Sequence, residues 1–226
     1  MTKRLVKQLE KIQYANQPLK LNITTIILTV ICTFFIVIAT FTQFDFNHYV
    51  LPFDWFAYLG KNFKDPAVYS HFIKHYRYIP QVPMIMFIAA FLGRRFGIAS
   101  VILYIVAGLF IAPVFAIGGG LRYVLEYGFG YILAYIPAVF FAGSITRSGL
   151  TYINMLQATL VGVCTIHLMG IFYMLFVATI QRETSALILG WISAQSGVKI
   201  IYDIVFGFFA MIIAKYLKKW LWFAMS

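Results

Sequence analysis

Residues Ile111–Gly143 read IAPVFAIGGGLRYVLEYGFGYILAYIPAVFFAG. The stretch predicts the end of one apolar helix, a glycine-cornered polar loop, and the start of the next helix. Gly118, Gly119 and Gly120 accept backbone angles closed to other residues and let a ligand or another backbone approach closely. Arg122 and Glu126 put charge on a loop bounded on both sides by apolar sequence. From Gly130 onward small residues recur at every fourth position, Ala134, Ala138 and Ala142. Such a ridge lets another helix pack near the axis. A tight polar corner joined to a close-packing helix is one way to build a buried ligand site in a membrane. Glycines in a plain hairpin would give the same letters.

Outward from this corner the chain stays apolar. Of 226 residues, 62% are hydrophobic and only 11% charged, which excludes an ordinary soluble domain and points to a helical membrane protein. The formal charge of +11 is spread between apolar spans rather than gathered in a patch, so it reads as membrane topology and not as a nucleic-acid surface. Cys32 and Cys164 each lie within an apolar run and have neither disulfide nor zinc spacing. No metal and no cofactor are expected.

The expected fold is all-α, with six transmembrane helices and a partly broken second span. Residues 1–20 form a basic amphipathic segment that suits an anionic membrane surface, or a frayed tail; 21–226 form a single transmembrane domain. Leu21–Phe44 is the first span, and Thr25, Thr29 and Thr33 make a ridge along it. Asp45–Ile79 is a long aromatic-rich connection with the character of a headgroup-level belt or a lid. His71 and His75 there have the i, i+4 spacing of two helical metal ligands, with no third ligand evident. Val82–Leu92 is half a span, about 16 Å as a helix. It begins among Pro80 and Pro83, where a helix starts or breaks and can line a cavity. Gln81 sits at that break.

Gly97–Ile117, Gly128–Ile145 with a kink at Pro137, Leu150–Ile180 and Ile200–Leu217 complete the set. Arg182–Gly197 reads as a mixed loop whose apolar patch is too short to cross. His167 lies mid-span, where a neutral imidazole bonded to a carbonyl is expected. Asp203 interrupts the last span. A central membrane aspartate costs roughly 2.5–3.5 kcal/mol on insertion scales, so a partner is expected for it. With both termini in the cytoplasm, Lys3, Arg4, Lys7, Lys11, Lys20, Arg94, Arg95, Arg147, Lys215, Lys218 and Lys219 fall inside. This orientation obeys the positive-inside rule and turns Gln81, the Gly118–Glu126 loop and Asp203 toward the outer face. Three separated polar features then converge on one ligand site open to the outside.

Three stretches carry a resemblance: PQVPMIMFIAAFLGRRFG, LYIVAGLFIAPVFAIGGGLRYVLEYGFGYILAYIPA, and YDIVFGFFAMIIAKYLKKWLW. Together they resemble the BioY family of biotin transporters, most nearly its cyanobacterial-type branch. The resemblance covers most of residues 78–147 and 200–222. It implies a six-helix substrate-capturing subunit of an energy-coupling-factor transporter, which binds the vitamin from outside the cell membrane and hands it to a transmembrane coupling subunit and two ATPases. It also implies that Gln81 is the family's glutamine, Tyr131 its pocket-facing position after Gly-x-Gly, and Asp203 its aspartate. Two departures stand out. Tyr127-Gly128-Phe129-Gly130 replaces the Pro-Thr-Gly-Gly of many members, and Ile204 replaces a lysine that others carry after the aspartate.

Biotin presents ureido N–H donors, a ureido carbonyl, an apolar bicycle and a carboxylate tail. Asp203 can accept ureido N–H bonds, and charge-assisted bonds are the strong ones. Gln81 can donate to the ureido carbonyl and accept from N–H. Tyr131 and Phe115 can cover the bicycle, Gly118 and Gly119 line the corner, and Arg122 is the candidate for the tail. Of the two small-residue ridges, the alanines are expected to pack internally and the threonines to face a coupling partner. Two other classes compete with this one, an intramembrane enzyme and a purely structural membrane subunit. Cys164 and His167 lie three apart without an acid partner, no Ser-His pairing is evident, and no Walker A pattern occurs, so any ATP use belongs to partners.

Overall fold

A computed structural model describes residues 21–49, 65, 68 and 72–225. The basic segment 1–20, most of the aromatic connection, and His71 lie outside the described residues. Among the described residues, five helices are long and apolar enough to cross a membrane: 23–41, 93–111, 129–148, 152–181 and 185–221, the last two-part. A shorter apolar helix, Gln81–Phe91, is the sixth, as the half-length second span predicts.

Helix α1 (Ile23–Phe41) buries one face, Thr25, Thr29, Cys32, Ile36, Ala39 and Thr40. Its other face exposes Ile23, Ile26, Phe34 and Ile38, a surface suited to lipid rather than water. The threonine ridge therefore packs inward, which corrects the expectation that it faces a partner. Thr29 Oγ1 donates to the Thr25 carbonyl, and Thr33 Oγ1 donates to the carbonyl of Ser100 on the neighbouring helix at 3.1 Å.

Helix α2 (Gln81–Phe91) opens with Pro80 as its cap residue and Pro83 in its first turn, positions whose missing donors have no intrahelical acceptor to lose. Gln81 is thus the first helical residue. Leu92 links α2 to α3 (Gly93–Val106), which runs on as a π-helical turn, Ala107–Ile111, closed by Ala112 N–H donating to the Ala107 carbonyl. Span three therefore ends earlier than the expected Ile117. The chain then turns through the glycine corner and a 3-10 turn, Leu121–Leu125.

Helices α4 (Phe129–Leu133) and α5 (Tyr135–Ile145) are one span broken at Ala134. Pro137 cannot donate to the Leu133 carbonyl, which accounts for the break. The alanine ridge is fully interior: Ala134, Ala138 and Ala142 have no exposed surface. Helix α6 (Tyr152–Gln181) is capped by the Thr151 side chain accepting from Asn154 N–H and ends at Arg182 in the left-handed conformation. At 1.5 Å per residue it runs about 45 Å, beyond a hydrocarbon core of about 30 Å. The stretch read as a mixed loop is instead helix α7 (Ser185–Ser196), and α8 (Lys199–Met225) closes the chain. Helices α2 and α8 pack along one another, and α6 packs on α4, α5 and α8.

Residues 42–79 form a compact unit of their own. Their described part is an antiparallel pair, β1 (Phe44–Tyr49) with β2 (Ile73–Tyr78), Phe44 opposite Tyr78 and Asn47 opposite His75. Alternation decides this: Phe46 and Tyr78 meet ring to ring, while Asp45 bonds His75 at 3.3 Å and Arg77 at 3.5 Å. His75 therefore lies on a strand, so the helical i, i+4 reading with His71 does not hold.

Candidate functional site

The glycine corner is built by close backbone approach. Gly120 has φ +86° and opens the 3-10 turn, a conformation that side chains other than glycine rarely adopt. Its N–H donates to the Gly108 carbonyl at 2.8 Å, joining the corner to the π turn. Phe115 and Gly118 exchange both backbone bonds, and the Phe115 ring lies where a Cβ on Gly108 would stand. Phe115 is fully buried, edge-on to Tyr104 at 5.4 Å and tilted against Tyr123 at 4.6 Å. Burial pushes the Tyr123 phenol up to about 12, opposed in part by a bond to the Ile117 backbone, so it stays a neutral donor. Gly118 has φ +133°, and Gly119 abuts the Gly108 carbonyl. Arg122 is exposed on the 3-10 turn.

Two polar clusters lie among the helices. Gln81 centres the first. Its Nε2 donates to Thr40 Oγ1 at 2.7 Å and to Tyr104 Oη at 3.3 Å, and its Oε1 accepts from Tyr135 Oη at 3.0 Å. Thr40 and Tyr104 hydroxyls bond each other at 3.0 Å, so helices α1, α2, α3 and α5 all hold the one amide. Both ends of that amide are engaged by hydroxyls, which can donate as well as accept.

Asp203 centres the second cluster. It has no exposed surface, and its Oδ2 accepts from Lys199 Nζ at 2.8 Å and meets His167 Nε2 at 3.0 Å. Lys199 stands one turn before Asp203 on α8, a spacing at which side chains of opposite charge meet. The His167 Nδ1 lies 2.9 Å from Ser196 Oγ, which lies 2.7 Å from Tyr131 Oη. The expected neutral histidine on a carbonyl is thus a histidine between a carboxylate and a hydroxyl. Tyr131 is set there by close crossing: a Cβ on Gly170 would fall 2.4 Å from its ring, and one on Gly130 2.2 Å from Tyr173. Tyr173 in turn donates to the Val124 carbonyl, tying α6 to the corner.

Of the residues singled out from sequence, Asp203 and Tyr131 are joined through His167 and Ser196. Gln81 belongs to the other cluster, where the Tyr135 hydroxyl donates to it. Phe115 belongs to the aromatic wall beside Tyr104. Thr40, Tyr104, Tyr135, His167, Ser196 and Lys199 complete the clusters without having been assigned to the site. Two of them carried a signal in the sequence, His167 as an ionisable residue mid-span and Lys199 by its i, i+4 spacing to Asp203. Cys164 is exposed while His167 is buried, so the thiol is not part of the buried cluster. Among the described residues no group of three metal-ligating side chains occurs.

These positions can be set beside known proteins. The crystal structure of the S-component for biotin of an ECF-type ABC transporter superposes with TM-score 0.62, covering 89% of this chain and 95% of that one at 21% identity; that likeness concerns the fold. The probable biotin transporter BioY of Lysinibacillus sphaericus is 38% identical over 63 residues, which are 28% of this chain and about a third, 32%, of that protein. The BioY family model matches residues 77–222. That span runs from β2 to α8 and contains Gln81, the glycine corner, Tyr131, His167 and Asp203. With well over half of its length under that model, the chain belongs to the BioY family.

Proposed function

We propose that the chain takes up biotin across the cell membrane, capturing it from the outside between the helices that carry Gln81 and Asp203. The observation that carries this reading is a buried carboxylate and a hydrogen-bonded amide on two packed helices, α8 and α2, within the family's matched span. A ureido ring needs an acceptor for its N–H groups and a donor for its carbonyl, and those two side chains supply both. Tyr131 and Phe115 provide aromatic surface for the bicycle, with Gly118 and Gly119 at the corner. Arg122 is the candidate cation for the carboxylate tail, and Lys199, already bonded to Asp203, is a second. Lys199, beside Asp203, stands in the role of the lysine that Ile204 displaces.

The chain acts as a binding subunit and not as an enzyme, its both termini cytoplasmic, and a transmembrane coupling subunit with ATPases supplies the energy. Isothermal titration of detergent-purified protein tests the binding. Saturable heat with biotin and weaker binding of desthiobiotin, which keeps the ureido ring but lacks the second ring, is the expected result. No heat with either compound overturns the reading.

A further inference from the structure

The bonds around His167 run in one direction. An ammonium can only donate, so Asp203 Oδ2 is an acceptor toward Lys199 Nζ at 2.8 Å. The same oxygen lies 3.0 Å from His167 Nε2, which must therefore carry a proton. In the neutral ring Nδ1 is then bare and accepts from the Ser196 hydroxyl at 2.9 Å, and Ser196 Oγ accepts from Tyr131 Oη at 2.7 Å. Donation passes from Tyr131 on α4, through Ser196 on α7 and His167 on α6, to Asp203 on α8. His167 is 3% exposed, so water offers no ready substitute for these partners.

A second proton on the ring reverses this order. Nδ1–H then donates to Ser196 Oγ, so the Ser196 hydrogen must leave Nδ1 for another acceptor. The imidazolium also becomes a second cation on a carboxylate oxygen already held by Lys199. Both changes draw acceptor strength away from Asp203, the group that the biotin reading assigns to the ureido N–H donors.

We propose that His167 is a positioning residue: its neutral ring holds the Asp203 carboxylate as the ureido acceptor, and its protonation weakens capture, so that biotin binding is linked to pH. This rests on the biotin reading above. Among the described residues, the titratable or charged groups facing the ring are Asp203 and Lys199 from α8 and Tyr131 from α4. Tyr135 of α5 is a neighbour of Asp203, α7 brings only the Ser196 hydroxyl, and α2 carries no titratable group in Gln81–Phe91. Lysine and tyrosine ordinarily titrate near pH 10 and carboxylic acids near pH 4, whereas histidine changes charge between about pH 5 and 8.

Biotin titrations at about pH 8 and about pH 6 test this, because the ligand's own carboxylate stays ionised throughout. Wild-type affinity is expected to fall at least about threefold at the lower pH. Titration near the middle of that range, in buffers of different ionisation heat, should show proton release on binding. In His167→Gln, whatever its absolute affinity, the ratio of affinities at the two pH values should fall to about one and proton release should vanish. A flat wild-type profile without proton release overturns the proposal, as does a pH dependence that persists in His167→Gln. If that variant does not purify, 15N spectra of histidine-labelled wild type decide. Biotin must shift the titration of an Nε2–H imidazole, and an unmoved titration overturns the proposal. Failure of biotin to bind at any pH instead removes the reading on which it rests.

Discussion

Asp203 and Lys199 are unequal members of their pair, and the inequality makes a prediction at the scale of the residue. The carboxylate is wholly buried, whereas the lysine side chain keeps 14% of its surface exposed. Asp203→Asn removes the charge but leaves a side chain of the same shape, with an oxygen that His167 can still meet. Lys199 can then lean toward its exposed side. Biotin affinity is expected to fall at least tenfold, about 1.4 kcal/mol, because the charge-assisted bonds are lost. Unchanged affinity in the purified variant would remove Asp203 from the site. Lys199→Met does the opposite and takes from a buried carboxylate the ammonium that donates to it at 2.8 Å. Breaking a buried pair from this side costs about 3–5 kcal/mol, toward the lower end here because the lysine was never fully desolvated. Thermal unfolding in detergent should therefore show the larger loss in Lys199→Met. The reverse order would mean that Lys199, not Asp203, is the group the fold must shield.

Helix α1 carries the prediction at the scale of the element. Thr29 is buried against the bundle and bonded within its own helix, one turn before Thr33 reaches Ser100 and about three turns before Thr40 reaches Tyr104 and Gln81. Thr29→Leu adds volume to a filled contact, which costs about 1–3 kcal/mol, and shifts the helix that holds Gln81 in place. Lower melting temperature and weaker biotin binding are expected together. Intact binding with lost uptake would return the ridge to a partner-facing role. The ridge itself was legible as four-residue spacing, but spacing cannot say which neighbour fills the groove. The same division runs through the rest of the chain. Pro80 and Pro83 announce where α2 begins, and the lone Asp203 announces a need for partners, since both effects act on the chain locally. The apolar patch of helix α7 is too short to span and so predicts a loop, yet 12 residues suffice for a helix that need not cross. Ser196, His167 and Tyr131 meet only through tertiary packing of three helices, which no local pattern encodes. In β1 and β2 the two-residue alternation was present in Phe44–Asp45–Phe46–Asn47, but an abundance of aromatic residues suits a membrane-surface belt equally well.

At the scale of the whole molecule, the basic corners gather at one end of the bundle. Arg94, at the start of α3, lies with its guanidinium 4.9 Å from the Phe140 ring, and its backbone touches Gly143 near the end of α5. Arg147 follows directly on α5, and Asn154 in the first turn of α6 bonds back to Ser148 and Gly149. Lys215 lies 4.4 Å over the ring of Tyr152, which also starts α6. These corners come together because the intervening helices alternate in direction, and their sign is the one that stays on the cytoplasmic side. Gln81 and the glycine corner stand at the other ends of α2 and α3. The polar clusters should then open outward, and the connection between α1 and α2 should be extracellular. Asn62→Cys, in a background with Cys32 and Cys164 replaced, should react with a membrane-impermeant maleimide in intact cells. A cysteine placed at Ser148 should react only after permeabilisation. Reaction in the opposite pattern would invert the protein in the membrane, and capture of biotin from outside would fall with it.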